Sequence, residues 1–246
     1  MAVTTRWLAF PGPRPEADVR LFCLPFAGAG ASTFREWPHA FGPRVEIAAV
    51  RLPGREQRIS EPPVIEPTEV AAAIAGAVDR PFAIFGHSMG ACLAFEVVRE
   101  LRRTGAPSPL RLYASGAGPP HLPVTGPFAG LSTVDDHELM TRVAEGGGVP
   151  SAVLAVPELF ALFLPVLRAD LTWVDGYTYT DGPPLPVPVV AFAGETDPVA
   201  SPTRMGGWRD HTTAGLTLHT LPGGHFFVVD QLPRLATLIE DDLLRG

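Results

Sequence analysis

Lysine and asparagine are absent from this chain of 246 residues, and all 19 of its basic residues are arginine. Without lysine there is no Schiff-base amine, no pyridoxal-phosphate anchor and no Walker lysine. Without asparagine there is no acceptor for N-glycosylation. Only two cysteines occur, Cys23 in LFCLPF and Cys92 in MGACLAF. They form no C-x-x-C pair and no disulfide framework, so buried free thiols in a reducing cytoplasm are the expectation, with no metal site and no cofactor. Basic runs are missing too, and the formal net charge of −7 argues against a nucleic-acid surface, which needs clustered cations. No apolar stretch approaches the ~20 residues that cross a bilayer. The N-terminal MAVTTRWLAFPGPRP lacks the apolar run of a secretory leader. A soluble cytoplasmic protein, with neither nucleic acid nor membrane as partner and a monomer by expectation, follows.

What is present suits a single large domain. Hydrophobic residues make up 46% and charged residues 18%, a balance that builds a core rather than a disordered tail. The length fits one α/β domain over residues 1–246 with an insertion.

Apolar runs read as strands at 19–24 (VRLFCL), 45–50 (VEIAAV), 82–85 (FAIF) and 110–114 (LRLYA). Runs apolar on both sides belong in a parallel sheet covered on both faces. Between them, 67–78 places Val70, Ile74 and Val78 on one helical face, and 89–103 does the same with Leu93, Val97 and Leu101. This alternation predicts a doubly wound α/β sheet. The rhythm breaks between about 119 and 186, the expected insertion. It holds a helix start at Asp135 to Glu138 with capping-box spacing, then PELFALFLPVLRADL (157–171), apolar at nearly every position. Such a helix needs cover on both sides: it is either buried between neighbours or a lid whose inner face takes an apolar chain, and the two are compatible. Strands resume at 187–193 and 216–221, and a helix over 226–244 is predicted from Val229, Leu232, Leu235, Ile239 and Leu243.

Gly86-His87-Ser88-Met89-Gly90 fits G-x-S-x-G between an apolar strand and an amphipathic helix, the setting of a nucleophile elbow. The glycines relieve crowding in a turn that forces the serine into strain. A serine hydroxyl needs a base, and the base needs a carboxylate to fix its tautomer. Of seven histidines, His87 adjoins the serine but leaves the turn in another direction, His219 lies within a strand, and His39, His121, His137 and His211 read as solvent-facing. His225 follows Pro222-Gly223-Gly224 after the last strand and precedes the last helix, where such a base would stand. The loop after 110–114 holds no carboxylate, whereas Gly194-Glu195-Thr196-Asp197-Pro198 holds two; Asp197 is preferred to Glu195 for its shorter side chain, with Asp170, Asp175 and Asp181 weaker candidates. For the oxyanion, one donor is the N–H of Met89; the other comes from Phe26 or Ala27 in the small-residue loop 25–30.

Taken together, LFCLPFAGAGASTFREW, RLPGREQRISEPP, FGHSMGACLAFEVVREL, PELFALFLPVLRADL and PGGHFFV resemble the type II thioesterases that accompany polyketide and nonribosomal peptide synthases. The resemblance spans essentially the whole chain. It implies an α/β-hydrolase fold with a helical lid over 119–186, a triad of Ser88, Asp197 and His225, and an oxyanion hole of Met89 with Phe26 or Ala27. Its expected activity is hydrolysis of acyl groups from the phosphopantetheine arm of an acyl or peptidyl carrier protein, clearing stalled or misprimed chains. Gly148-Val149-Pro150 departs from the family pattern, where threonine is more usual before the proline. Arg51, Arg55 and Arg58 form a polar loop that is either a solvated turn or a contact for the arm's phosphate or an acidic carrier helix. A carboxylester hydrolase, an acyltransferase and a non-catalytic binding module are the rival readings.

Overall fold

The computed structural model describes residues 6–147 and 156–245. Seven strands form one sheet in the order β1-β3-β2-β4-β5-β6-β7. They are β1 (Leu8–Ala9), β2 (Val19–Leu24), β3 (Val45–Val50), β4 (Phe82–His87), β5 (Leu112–Ser115), β6 (Val189–Gly194) and β7 (Leu216–Leu221). All neighbours are parallel except β1, which pairs antiparallel with β3 through Leu8 opposite Val50. β1 is not legible in the sequence, because two residues carry no periodicity.

Every residue of β2, β3, β4, β5 and β6 is buried, as parallel strands covered on both faces require. Successive side chains alternate between two cores: Phe22, Leu24, Ala48 and Ile84 on one face, Leu21, Cys23, Ile47 and Phe85 on the other. The first face is covered by α2 (Pro67–Ala75) and α3 (Met89–Thr104); the second by α1 (Trp37–Ala40) and, near the C-terminus, α8 (Leu232–Arg245). Gly105, at φ 69°, closes α3 in the left-handed conformation, with Arg102 and Arg103 in its last turn.

Between β5 and β6 the described residues include α4 (Asp136–Glu145) and α5 (Pro157–Gly176). Asp135 caps α4 by accepting the N–H of Glu138 at 2.9 Å, as the capping spacing predicts. Leu139 and Val143 of α4 meet Leu167 and Leu171 of α5 in a third small core. Leu162 stays 64% exposed, so α5 is not covered all round. Gly148-Val149-Pro150 lies outside the described residues.

After β6 comes α6 (Pro202–Met205), and the helix expected over 226–244 divides into α7 (Phe227–Asp230) and α8. Pro233 cannot donate to the carbonyl four residues back, so one unbroken helix is disfavoured here. Val229, expected on the core face, is consequently 61% exposed.

Candidate active site

The parallel register brings the C-terminal ends of the central strands to one edge: Leu24 pairs with Gly86, His87 with Ser115, and Gly194 with Leu221. Ligand crevices of open parallel sheets lie at this edge. Ser88 leaves β4 at φ 54° and ψ −121°, one of two non-glycine residues with positive φ among those described. The strain is held by a hydrogen bond from the Ser88 N–H to the Ser115 carbonyl at 2.8 Å. It also depends on both flanking glycines. A Cβ at Gly86 would overlap the Gly90 carbonyl, and one at Gly90 would overlap the carbonyl oxygen of Leu24. This is why G-x-S-x-G carries glycine at both ends here.

Ser88 Oγ lies 3.0 Å from His225 Nε2, and His225 Nδ1 lies 3.0 Å from Asp197 Oδ2. Asp197 Oδ1 accepts the N–H groups of Val199 at 2.8 Å and Ala200 at 3.1 Å. Burial is the largest influence on this carboxyl and pushes its pKa up. The hydrogen bond and charge of His225, together with the two N–H donors, outweigh burial and hold it below the usual carboxylate range. Glu195 is exposed, and Asp175 is occupied by the N–H groups of Gly130 and Ser132. Asp181 is exposed as well.

His87 is buried beneath this array, its ring 5.2 Å from that of His225 and its Nδ1 2.9 Å from Ser115 Oγ. Burial, then the neighbouring His225, pushes its pKa well below the ordinary histidine value, so it sits neutral. His219 is half-buried and stacked on Phe192. His39 and His137 are exposed as expected. His211 is not: it is buried, with Nε2 2.6 Å from Nδ1 of the exposed His121. The ring fills a gap between Phe95, Trp208 and Tyr179 that chain order does not reveal.

The polar-loop reading of the arginines also needs correction. Arg55 and Arg58 are buried. Arg55 makes two bonds to Asp170 of α5, at 2.6 and 2.7 Å. Arg58 pairs with Glu61 and lies over the Trp7 ring. Both guanidinium groups are thus paired inside the protein rather than free on a solvated turn. Asp170, weighed only as an alternative acid, is fully buried in this pair. RLPGRE and LRADL were visible as motifs; their partnership across 115 residues was not.

Ser88 and His225 open onto a cavity of about 500 Å³, within the range for small-molecule sites. Phe26, Ala27 and Met89, the residues expected to supply oxyanion donors, line it beside the serine. Its walls are mostly apolar, including Leu167, Leu171 and Trp173. Cys92 sits one helical turn beyond Ser88 in the same wall. Among the described residues no cluster of three or more metal-ligating side chains occurs, and no helix is long and apolar enough to cross a membrane.

A serine at the cavity wall, bonded to a buried histidine–aspartate pair, is the arrangement of a serine hydrolase, and comparison with known proteins narrows it. The thioesterase-domain family model matches residues 19–243. Thioesterase PikA5 of Streptomyces venezuelae is 35% identical, over 97% of this chain and 85% of its own length. Among solved structures, the RedJ thioesterase of the prodiginine pathway in Streptomyces coelicolor superposes with a TM-score of 0.83 at 38% identity, covering 93% of each chain. BorB, the type II thioesterase of the borrelidin cluster, gives 0.86 at 33% identity, covering 96% of this chain and 97% of its own. This chain therefore belongs to the thioesterase family, as a serine thioester hydrolase of the α/β-hydrolase fold whose relatives are type II thioesterases of polyketide and nonribosomal peptide pathways.

Proposed function

We propose that the protein releases acyl groups from the phosphopantetheine arm of acyl or peptidyl carrier proteins, with Ser88 as nucleophile, His225 as base and Asp197 as orienting acid. The observation that carries this reading is the unbroken relay from Asp197 through His225 to Ser88, opening on an apolar cavity. Ser88 Oγ attacks the thioester carbonyl while His225 Nε2 takes its proton. The negative oxygen of the tetrahedral intermediate turns to the N–H of Met89, at the start of α3, and to the N–H of Phe26 or Ala27. The carbon–sulfur bond breaks and the pantetheine sulfur leaves as a thiol, taking the proton from His225. Water then attacks the acyl-serine by the same route, losing its proton to His225, and the free acid departs. Lysine, a metal and a cofactor have no part in this sequence of steps.

The segment 119–186 serves in this reading as the lid, and the apolar wall formed by α5 receives the acyl chain. The relatives' pathways support the carrier-bound substrate: BorB and PikA5 are thioesterases, and BorB and RedJ are named for biosynthetic pathways. One panel tests the proposal: the same acyl groups offered on a carrier protein, on a short pantetheine thioester and as oxygen esters, with Ser88→Ala as control. Carrier thioesters are expected to give the highest kcat/KM, and Ser88→Ala to abolish turnover. Turnover of Ser88→Ala at the wild-type rate would sink the mechanism; preference for oxygen esters would make the protein an esterase, and transfer to an acceptor other than water an acyltransferase.

A further inference from the structure

The loop after β2 lies against one face of α5, held there by both hydrogen bonds and apolar contacts. The Gly28 N–H donates to Asp170 Oδ2 at 2.7 Å. That oxygen also takes Arg55 Nη1 at 2.6 Å, while Asp170 Oδ1 takes Arg55 Nη2 at 2.7 Å. Arg55 Nη1 further donates to the Ala29 carbonyl at 2.9 Å. One turn and two turns back along α5, Leu167 and Phe163 pack so closely over Gly28, at φ 77°, that a Cβ there would overlap the Phe163 ring. Ala27 packs on the same small core as Leu167 and Leu171. Asp170 is fully buried and Arg55 nearly so, which makes each bond charge-assisted and shielded from water.

These contacts fix the peptide units on both sides of the loop's turn. The Ala29 N–H donates to the Phe26 carbonyl at 3.0 Å. That carbonyl belongs to the peptide whose N–H is Ala27's, and in a trans peptide the two point in opposite directions. Drawing the carbonyl into the turn therefore turns the Ala27 N–H away from it. Asp170 holds the next peptide, 27–28, through the Gly28 N–H, the Ala29 N–H itself ties down 28–29, and Arg55 holds 29–30 through the Ala29 carbonyl. We propose that the Arg55–Asp170 pair is a positioning device for the oxyanion loop: it holds the Ala27 N–H in place for the transition state and ties that donor to α5. The proposal rests on Ser88 being the nucleophile. It also selects Ala27 over Phe26 as the second oxyanion donor. Arg55 and Asp170 are positioning residues, since both act through the loop backbone.

Preorganised donors matter only where charge develops, so loss of the pair should lower kcat while KM stays nearly constant. The variant of choice is Arg55→Met with Asp170→Leu, which removes both charges at once and leaves neither buried alone. With a carrier-free pantetheine thioester, kcat is expected to fall at least ten-fold with KM within about two-fold, where losing a whole oxyanion donor costs about 10²–10³. Affinity for a trifluoromethyl ketone of the same acyl chain, which forms a tetrahedral adduct with the serine, should weaken in proportion. A folded double variant with wild-type kcat and ketone affinity overturns the proposal, as does a raised KM with unchanged kcat. If the double variant does not fold, hydrogen exchange of the wild-type protein decides: the Gly28 amide should exchange only through global unfolding, and exchange at the rate of an open loop overturns the proposal. Ser88→Ala separates the two levels. If Ser88→Ala is inactive and the double variant behaves as wild type, this inference alone fails; if Ser88→Ala is active, the reading beneath it fails.

Discussion

Asp197 and His225 meet at 3.0 Å, Oδ2 to Nδ1, from loops separated by 28 residues. The other carboxylate oxygen is anchored by two backbone N–H groups. The carboxylate thus cannot swing away, and it selects the tautomer in which Nδ1 carries the proton and Nε2 faces Ser88.

Asp197→Asn should keep the anchoring bonds to Val199 and Ala200 but offer an amide where Nδ1–H needs an acceptor. Activity is expected to fall by about 10⁴ in kcat, the scale of a wrong tautomer in a serine triad. The melting temperature should move little, because burial of a neutral amide replaces burial of a charge. Glu195→Gln, two residues away and exposed, is the control and should stay within two-fold of wild type. Steady-state kinetics and a thermal melt check both.

His87, His211 and His219 are all held below the ordinary histidine pKa, by burial first in each case. A group whose folded pKa is depressed leaves the unfolded chain holding more protons between the folded value and about 6.5. Stability is therefore complete above about pH 6.5 and is lost as the pH falls below it. The melting temperature should drop between pH 6.5 and 5. His87→Gln, which takes up no proton, should show a shallower drop over the same interval, and an identical slope would remove His87 from the account.

Burial pushes the Cys23 thiol well above its usual pKa, and burial with the nearby Glu96 pushes Cys92 up to about 12. The thiolate is the reactive form. At pH 8 the native protein should therefore release no thionitrobenzoate from a disulfide reagent, and two equivalents, one for each cysteine of the chain, once unfolded in guanidinium. Cys92 also lines the cavity proposed to take the acyl chain. Cys92→Phe should shorten the space beyond Ser88, lowering kcat/KM for long acyl chains more than for short ones; an unchanged chain-length profile would place the acyl group elsewhere.

Much of the site was legible because its chemistry is local. A strained serine between a strand and a helix demands glycine at fixed offsets, so Gly86 and Gly90 marked the elbow before any partner was known. His225 announced itself through its glycine-framed loop at a strand end. Asp197 was readable by elimination, since the loop after β5 carries no acid. What stayed hidden was decided by contact between distant segments. Arg55 looked like a solvated arginine because one sequence cannot show that Asp170 faces it. His211 looked exposed because the aromatic gap it fills is lined from α3, the segment before β6 and its own neighbours.

The sequence by itself determined the fold class, the two-faced sheet and the residue types at the elbow, because strand and helix periodicities and glycine sterics are properties of neighbouring residues. Only the tertiary structure decided which carboxylates are buried, which arginines are spent in ion pairs, and that α5 and the loop after β2 share one buried clasp. Those outcomes depend on desolvation and charge pairing, which are set by what lies across the fold and not along the chain.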